Sequence, residues 1–115
     1  MSTNSNDHGR AYEYAWINTL YRTLAAIRKT RIVSNSSLDA NKRAWNMLNT
    51  NMQKLFEISA YSAVNAILEL EPRMIEDDEN ELVLGLQRDG AGTRGDVRDL
   101  VIRRNNIPWQ IGLSI

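Results

Sequence analysis

The chain has 115 residues, enough for one small domain or one part of a larger protein. It contains no cysteine, which excludes a disulfide framework, a thiolate zinc site and a cysteine nucleophile. Equal numbers of basic and acidic residues give zero net charge, which excludes a bulk polycation of the kind that coats nucleic acid. No apolar run is long enough to span a bilayer, and Met1–His8 is polar with no signal-peptide core. These features predict a soluble, cytoplasmic protein with no membrane association.

The charge is unevenly placed along the chain. Arg10, Arg22, Arg28, Lys29, Arg31, Lys42, Arg43 and Lys54 are opposed in the first half by Asp7, Glu13 and Asp39, whereas Glu69, Glu71, Glu76, Asp77, Asp78, Glu79 and Glu81 crowd together later. Such asymmetry is compatible with a nucleic-acid face at one end, but on the residues alone the solvated surface is the preferred reading.

In chain order, Met1–Asp7 reads as a frayed start. A first helix is predicted from about His8 to Lys29, where Ile17, Leu20, Tyr21, Leu24 and Ile27 recur at three- and four-residue steps. Glu13 in its first turns suits the positive end of the helix dipole. His8, the single histidine, reads as a tail residue. After a linker over 31–37, with a short extended piece at Ile32-Val33, Ser36 or Ser37 is expected to cap a second helical region. Its apolar positions run from Trp45 and Leu48 through Leu55 and Phe56 to Leu68. Thr50-Asn51-Met52-Gln53 has the capping-box form, so one bent helix or two in tandem would satisfy the pattern. Pro72 ends it. Glu76-Asp77-Asp78-Glu79 reads as a solvated acidic turn, since four consecutive acids cannot converge on one ion without a dedicated loop.

From Leu82 onward the pattern changes. Short runs rich in Val, Ile and Leu at 82–87, 96–104 and 109–115 are separated by Gly, Asn and Pro, a strand-turn-strand signal for a three-stranded meander. Ile111, Leu113 and Ile115 alternate with Gln110, Gly112 and Ser114, so one face of the last strand is apolar and the other small and polar. Gly90–Gly95 lacks the Gly-Lys-Ser/Thr ending of a nucleotide loop and leads into a strand, so its glycines read as a connection that lets backbone approach DNA or a metal. Arg88, Arg94 and Arg98 are then candidates for phosphate contacts. Asp96 and Asp99 flank the start of the apolar Leu100-Val101-Ile102. A carboxylate there needs compensation, and a metal ion is one form of it. The fold class is therefore α+β, with residues 1–71 helical and 82–115 a three-stranded antiparallel meander.

An acid on one strand facing a polar row on the next is the skeleton of the PD-(D/E)xK nuclease site. Gly95-Asp96-Val97-Arg98-Asp99-Leu100-Val101-Ile102 followed by Trp109-Gln110-Ile111-Gly112-Leu113-Ser114-Ile115 resembles the HaeIII-type type II restriction endonucleases. Gly9-Arg10-Ala11-Tyr12-Glu13-Tyr14-Ala15 and Leu70-Glu71-Pro72-Arg73-Met74 resemble that family too. The resemblance covers nearly the whole chain but only the amino-terminal part of such an enzyme. It implies Mg²⁺-dependent cleavage of double-stranded DNA at a GGCC-type site. It implies Asp99 as the principal metal ligand and catalytic acid, with Asp96 and Glu13 as further candidates. Gln110 and the carbonyl of Ile115 would be added oxygen donors. Ser114 stands where the superfamily pattern asks for a second acid. The family's lysine would follow Ile115, so these 115 residues alone are expected to be inactive and to self-associate through an exposed strand edge. The competing expectation, open on composition and periodicity, is a non-enzymatic helical interaction or folding module ending in a strand hairpin.

Overall fold

The computed structural model describes residues 5–76, 80–87, 99–105 and 107–115. Helix α1 (Ser5–Ala25) buries Ala11, Ala15, Trp16, Ile17, Leu20 and Leu24 along one stripe. It ends before the expected Lys29 because the N–H groups of Ile27 and Arg28 both turn back to the Leu24 carbonyl. That turn swings Ile27 out of the stripe, leaving it 47% exposed. His8 lies within α1, edge-on to Phe56 at 6.4 Å, and is not a tail residue.

The second helical region is two helices, α2 (Ser36–Asn46) and α3 (Thr50–Leu70). Neither uses the expected cap. Asn35 caps α2, its side-chain oxygen accepting from Leu38 N–H, and Asn49 caps α3 by accepting from Met52 N–H. Asparagine satisfies an orphan donor at a helix start as well as serine or threonine does. Asn35 has a second attachment, donating through Nδ2 to the Leu86 carbonyl at 3.1 Å, which ties the start of α2 to the sheet. Leu70 is the last residue of α3, and Pro72 opens a short 3₁₀ turn, Pro72–Met74.

The sheet has four strands in the order β1-β2-β3-β4, with β1 Thr30–Ile32, β2 Leu82–Leu86, β3 Leu100–Arg104 and β4 Gln110–Leu113. This corrects the three-stranded expectation. β1 adds to the edge of β2 in parallel, pairing Thr30 with Leu82 and Ile32 with Leu84, so the sheet is mixed. β2, β3 and β4 pair antiparallel in sequence order. Leu82, Leu84 and Leu86 align with Leu100 and Ile102 on one face, and that face packs against Ile17, Leu20 and Leu24 of α1 and Val64 of α3. Each fully buried aliphatic side chain there contributes about 1.5–3 kcal/mol. Ile111, Leu113 and Ile115 add to this core, while Gln110, Gly112 and Ser114 are exposed.

The charges separated in sequence meet in space. Arg28 is 5% exposed and donates to the carbonyls of Arg73, Glu76 and Asn80. Arg31 pairs with Glu81 at 2.8 Å, and Arg104, over the Trp109 ring, reaches Glu76 at 3.5 Å. These arginines fasten the segment before β2 to the layers around it and do not form a separate basic face. Among the described residues no helix is long and apolar enough to cross a membrane.

Candidate active site

Asp99 sits where β3 begins, and its main chain is fixed from both sides. Gln87 N–H donates to its carbonyl at 3.0 Å, and its own N–H donates to the Leu113 carbonyl at 2.8 Å. Leu113 is also the ladder partner of Leu100. Asp99 and Leu100 therefore both address one residue of β4, the arrangement of a β-bulge, a device that ends pairing and re-aims a side chain. The side chain is re-aimed at the other strand's backbone: Asp99 Oδ2 accepts from Ile115 N–H at 2.6 Å. Among the described residues Oδ1 has no hydrogen-bond partner. A half-buried carboxylate is thus held by one of its oxygens.

The Ile115 N–H lies against this carboxylate, which places Ile115, whose carbonyl is the candidate donor, beside Asp99. Glu13 is elsewhere in the layers. Its Oε2 accepts from Asn41 Nδ2 at 3.0 Å, across the α1–α2 contact. Only residues 26–29 separate α1 from β1, so the chain doubles back and α1 lies over the sheet. Glu13, in the amino-terminal half of α1, then lies towards the end where β1 and β2 finish and Asp99 stands. Gln110 is placed differently. It pairs with Arg103, at the far end of β3 from Asp99. Asp96, Arg88, Arg94 and Arg98 lie outside the described residues.

Among the described residues no three His, Cys, Asp or Glu side chains converge as a closed metal cage. The donor set nevertheless fits Mg²⁺, which is held by one or two carboxylates and keeps its remaining positions for water and phosphate oxygens. One open carboxylate oxygen beside a strand-end backbone satisfies that requirement. The sequence reading missed Asn41, which is 3% exposed. The signal was present: Ser37, Asn41, Ala44 and Leu48 are all buried at helical spacing, and Asn41 is an amide where the stripe calls for an apolar group.

Residues 9–115 match the family model described as HaeIII restriction endonuclease. The chain is 43% identical over all 115 of its residues to the type II restriction enzyme HaeIII of Haemophilus aegyptius, of which it spans 36%. No solved structure matches the chain.

Proposed function

Since the chain belongs to the HaeIII restriction endonuclease family, we propose that it is the amino-terminal portion of a type II enzyme that hydrolyses double-stranded DNA at a short GGCC-type site. The observation that carries this reading is the strand-end carboxylate of Asp99, clamped through Oδ2 and, among the described residues, open at Oδ1. The arrangement supports the start of a PD-(D/E)xK core, with helices on one side of β2–β4. Mg²⁺ would be held by Asp99 Oδ1 and the Ile115 carbonyl, with Glu13 and Asp96 as further carboxylates; Gln110, opposite Arg103 at the other end of β3, is too far along the strand to join them. Bound there, the ion would neutralise phosphate charge and lower the pKa of a water nucleophile.

The chain's own part is positional. The bulge and the Ile115 N–H fix the Asp99 carboxylate before any ion arrives, so no side-chain freedom is lost when it acts. Arg88, Arg94 and Arg98 supply phosphate contacts that set the DNA's register. The small, exposed row of Gln110, Gly112 and Ser114 leaves room for a backbone or ligand to approach. A polypeptide of these 115 residues alone would not cut, for want of the family's lysine. Removal of one preorganised donor of that kind costs on the order of a hundred- to a thousand-fold. The free edge of β4 is where such a polypeptide would self-associate. The working compartment is the cytoplasm.

A second reading, a non-enzymatic docking module, is favoured by one feature: Leu55, Ile58 and Tyr61 are each at least 60% exposed along α3. A plasmid-cleavage assay separates the two. The chain carrying the family's downstream residues should cut GGCC-containing DNA with Mg²⁺, whereas the 115-residue polypeptide and the longer Asp99→Asn variant should not. Undiminished cutting by that variant would remove Asp99 from the mechanism.

A further inference from the structure

Asn41 is a buried amide on α2 that makes one directed side-chain contact among the described residues. Its side chain is 3% exposed, and its Nδ2 donates to Glu13 Oε2 at 3.0 Å. A carboxamide in an apolar stripe is costly unless its polar atoms are satisfied, so the residue occupies this position at some expense to packing. Its neighbours along the stripe, Ala44 and Leu48, pack against Ala11 of α1, which fixes the spacing of the two helices at Glu13. The start of α2 is in turn tied to the sheet end beside Asp99. Asn35 donates to the Leu86 carbonyl, and the next residue on that strand, Gln87, donates to the Asp99 carbonyl. A chain of defined contacts therefore runs from Asp99 through Gln87, Leu86 and Asn35 to α2, and from Asn41 to Glu13.

We propose that Asn41 is a positioning residue for the metal site, fixing the rotamer and direction of the Glu13 carboxylate so that it works with Asp99 on one ion. The proposal rests on the assignment of Asp99 and Glu13 as metal ligands and extends it to a group that does not touch the ion. Outer partners of this kind orient ligating carboxylates, and their removal lowers metal affinity by about 10- to 100-fold. A merely structural amide would instead lower stability and leave affinity alone.

The test is Mn²⁺ binding to the 115-residue chain, followed by electron paramagnetic resonance, beside urea unfolding of the same samples. Asn41→Ala should weaken Mn²⁺ binding by about tenfold. In a Glu13→Gln background the same change should have no further effect, because Asn41 acts only through that carboxylate. Equal affinity of Asn41→Ala and the unsubstituted chain overturns the proposal while leaving the Asp99 assignment standing. Failure of the unsubstituted chain to bind Mn²⁺ overturns both. A measurement without substitution guards against a misfolded variant. In ¹⁵N spectra of the unsubstituted chain, Mn²⁺ should broaden the Asn41 side-chain NH₂ signals together with the Asp99 and Ile115 amides. Broadening of Asp99 and Ile115 with Asn41 untouched would place Glu13 away from the ion and overturn the proposal.

Discussion

Asp99 Oδ2 accepts from the main-chain N–H of Ile115 at 2.6 Å, joining the start of β3 to the end of β4 by a side chain where the ladder itself has given way to a bulge. One oxygen of the carboxylate is thus structural, and the proposed function assigns the other to a cation. Asp99→Asn keeps an acceptor for Ile115 N–H and should cost only about 1 kcal/mol, whereas Asp99→Ala removes it and should cost about 1.5–3 kcal/mol. Urea unfolding of both variants checks the order. Equal loss for the two would mean that the clamp contributes nothing.

Arg28 offers a test of the segment before β2, at the other end of the sheet from Asp99. Its guanidinium reaches the carbonyls of Arg73, Glu76 and Asn80 from a nearly buried position. Arg28→Met should destabilise the chain by at least about 1.5–3 kcal/mol, the range for a hydrogen bond to a charged group, because several acceptors lose their donor together. Arg28→Lys should recover only part of this, since an ammonium lacks the planar fork that serves separated acceptors. Full recovery by lysine, measured by denaturant midpoint, would contradict the geometry.

The two asparagine caps should differ in weight. Asn49→Ala removes one cap and should cost about 1 kcal/mol. Asn35→Ala removes a cap and also the bond to the Leu86 carbonyl, so it should cost more, by roughly a further 0.5–1.5 kcal/mol. The same urea series decides; a smaller effect at Asn35 would separate α2 from the sheet energetically.

Much of this architecture was legible because its signals are local. The strands at 82–86, 100–104 and 110–113 are Val/Ile/Leu runs with Gly, Asn or Pro between them, and the Ile111/Leu113/Ile115 alternation points to the face that packs. β1 was legible only as an extended piece, because Thr30-Arg31-Ile32 becomes a strand through parallel pairing with β2, a partner far along the chain. The cap of α2 was misplaced by one residue for a similar reason. Asn35, Ser36 and Ser37 can all cap, and the Leu86 carbonyl favours the first. Arg28 and Arg31 could be read only as part of an uneven charge distribution, because a list of charges carries no information about which are buried or paired. At the candidate site, the bond of Asp99 to Ile115 N–H and that of Asn41 to Glu13 were not legible, since each joins segments that only the fold brings together.

Helical periodicity also overstated burial on α3. Leu55 continues the apolar pattern yet is 61% exposed, and Ile58 beside it is 66% exposed. Leu55→Lys with Ile58→Lys should therefore change stability by no more than about 0.5 kcal/mol per site, as for ordinary surface positions. A loss of several kcal/mol in urea unfolding would show that this face is covered in solution.

The central claim is that Asp99 binds a divalent cation through its open oxygen. A crystal of the chain soaked in Mn²⁺ and measured at the manganese absorption edge tests it directly. The account predicts an anomalous peak about 2.0–2.2 Å from Asp99 Oδ1, close to the distance hard cations of this size keep from carboxylate oxygen, with the Ile115 carbonyl among its neighbours and no such peak in Asp99→Asn. An unliganded Asp99, with manganese bound only at other surface carboxylates such as Glu69 or Glu71, would contradict it.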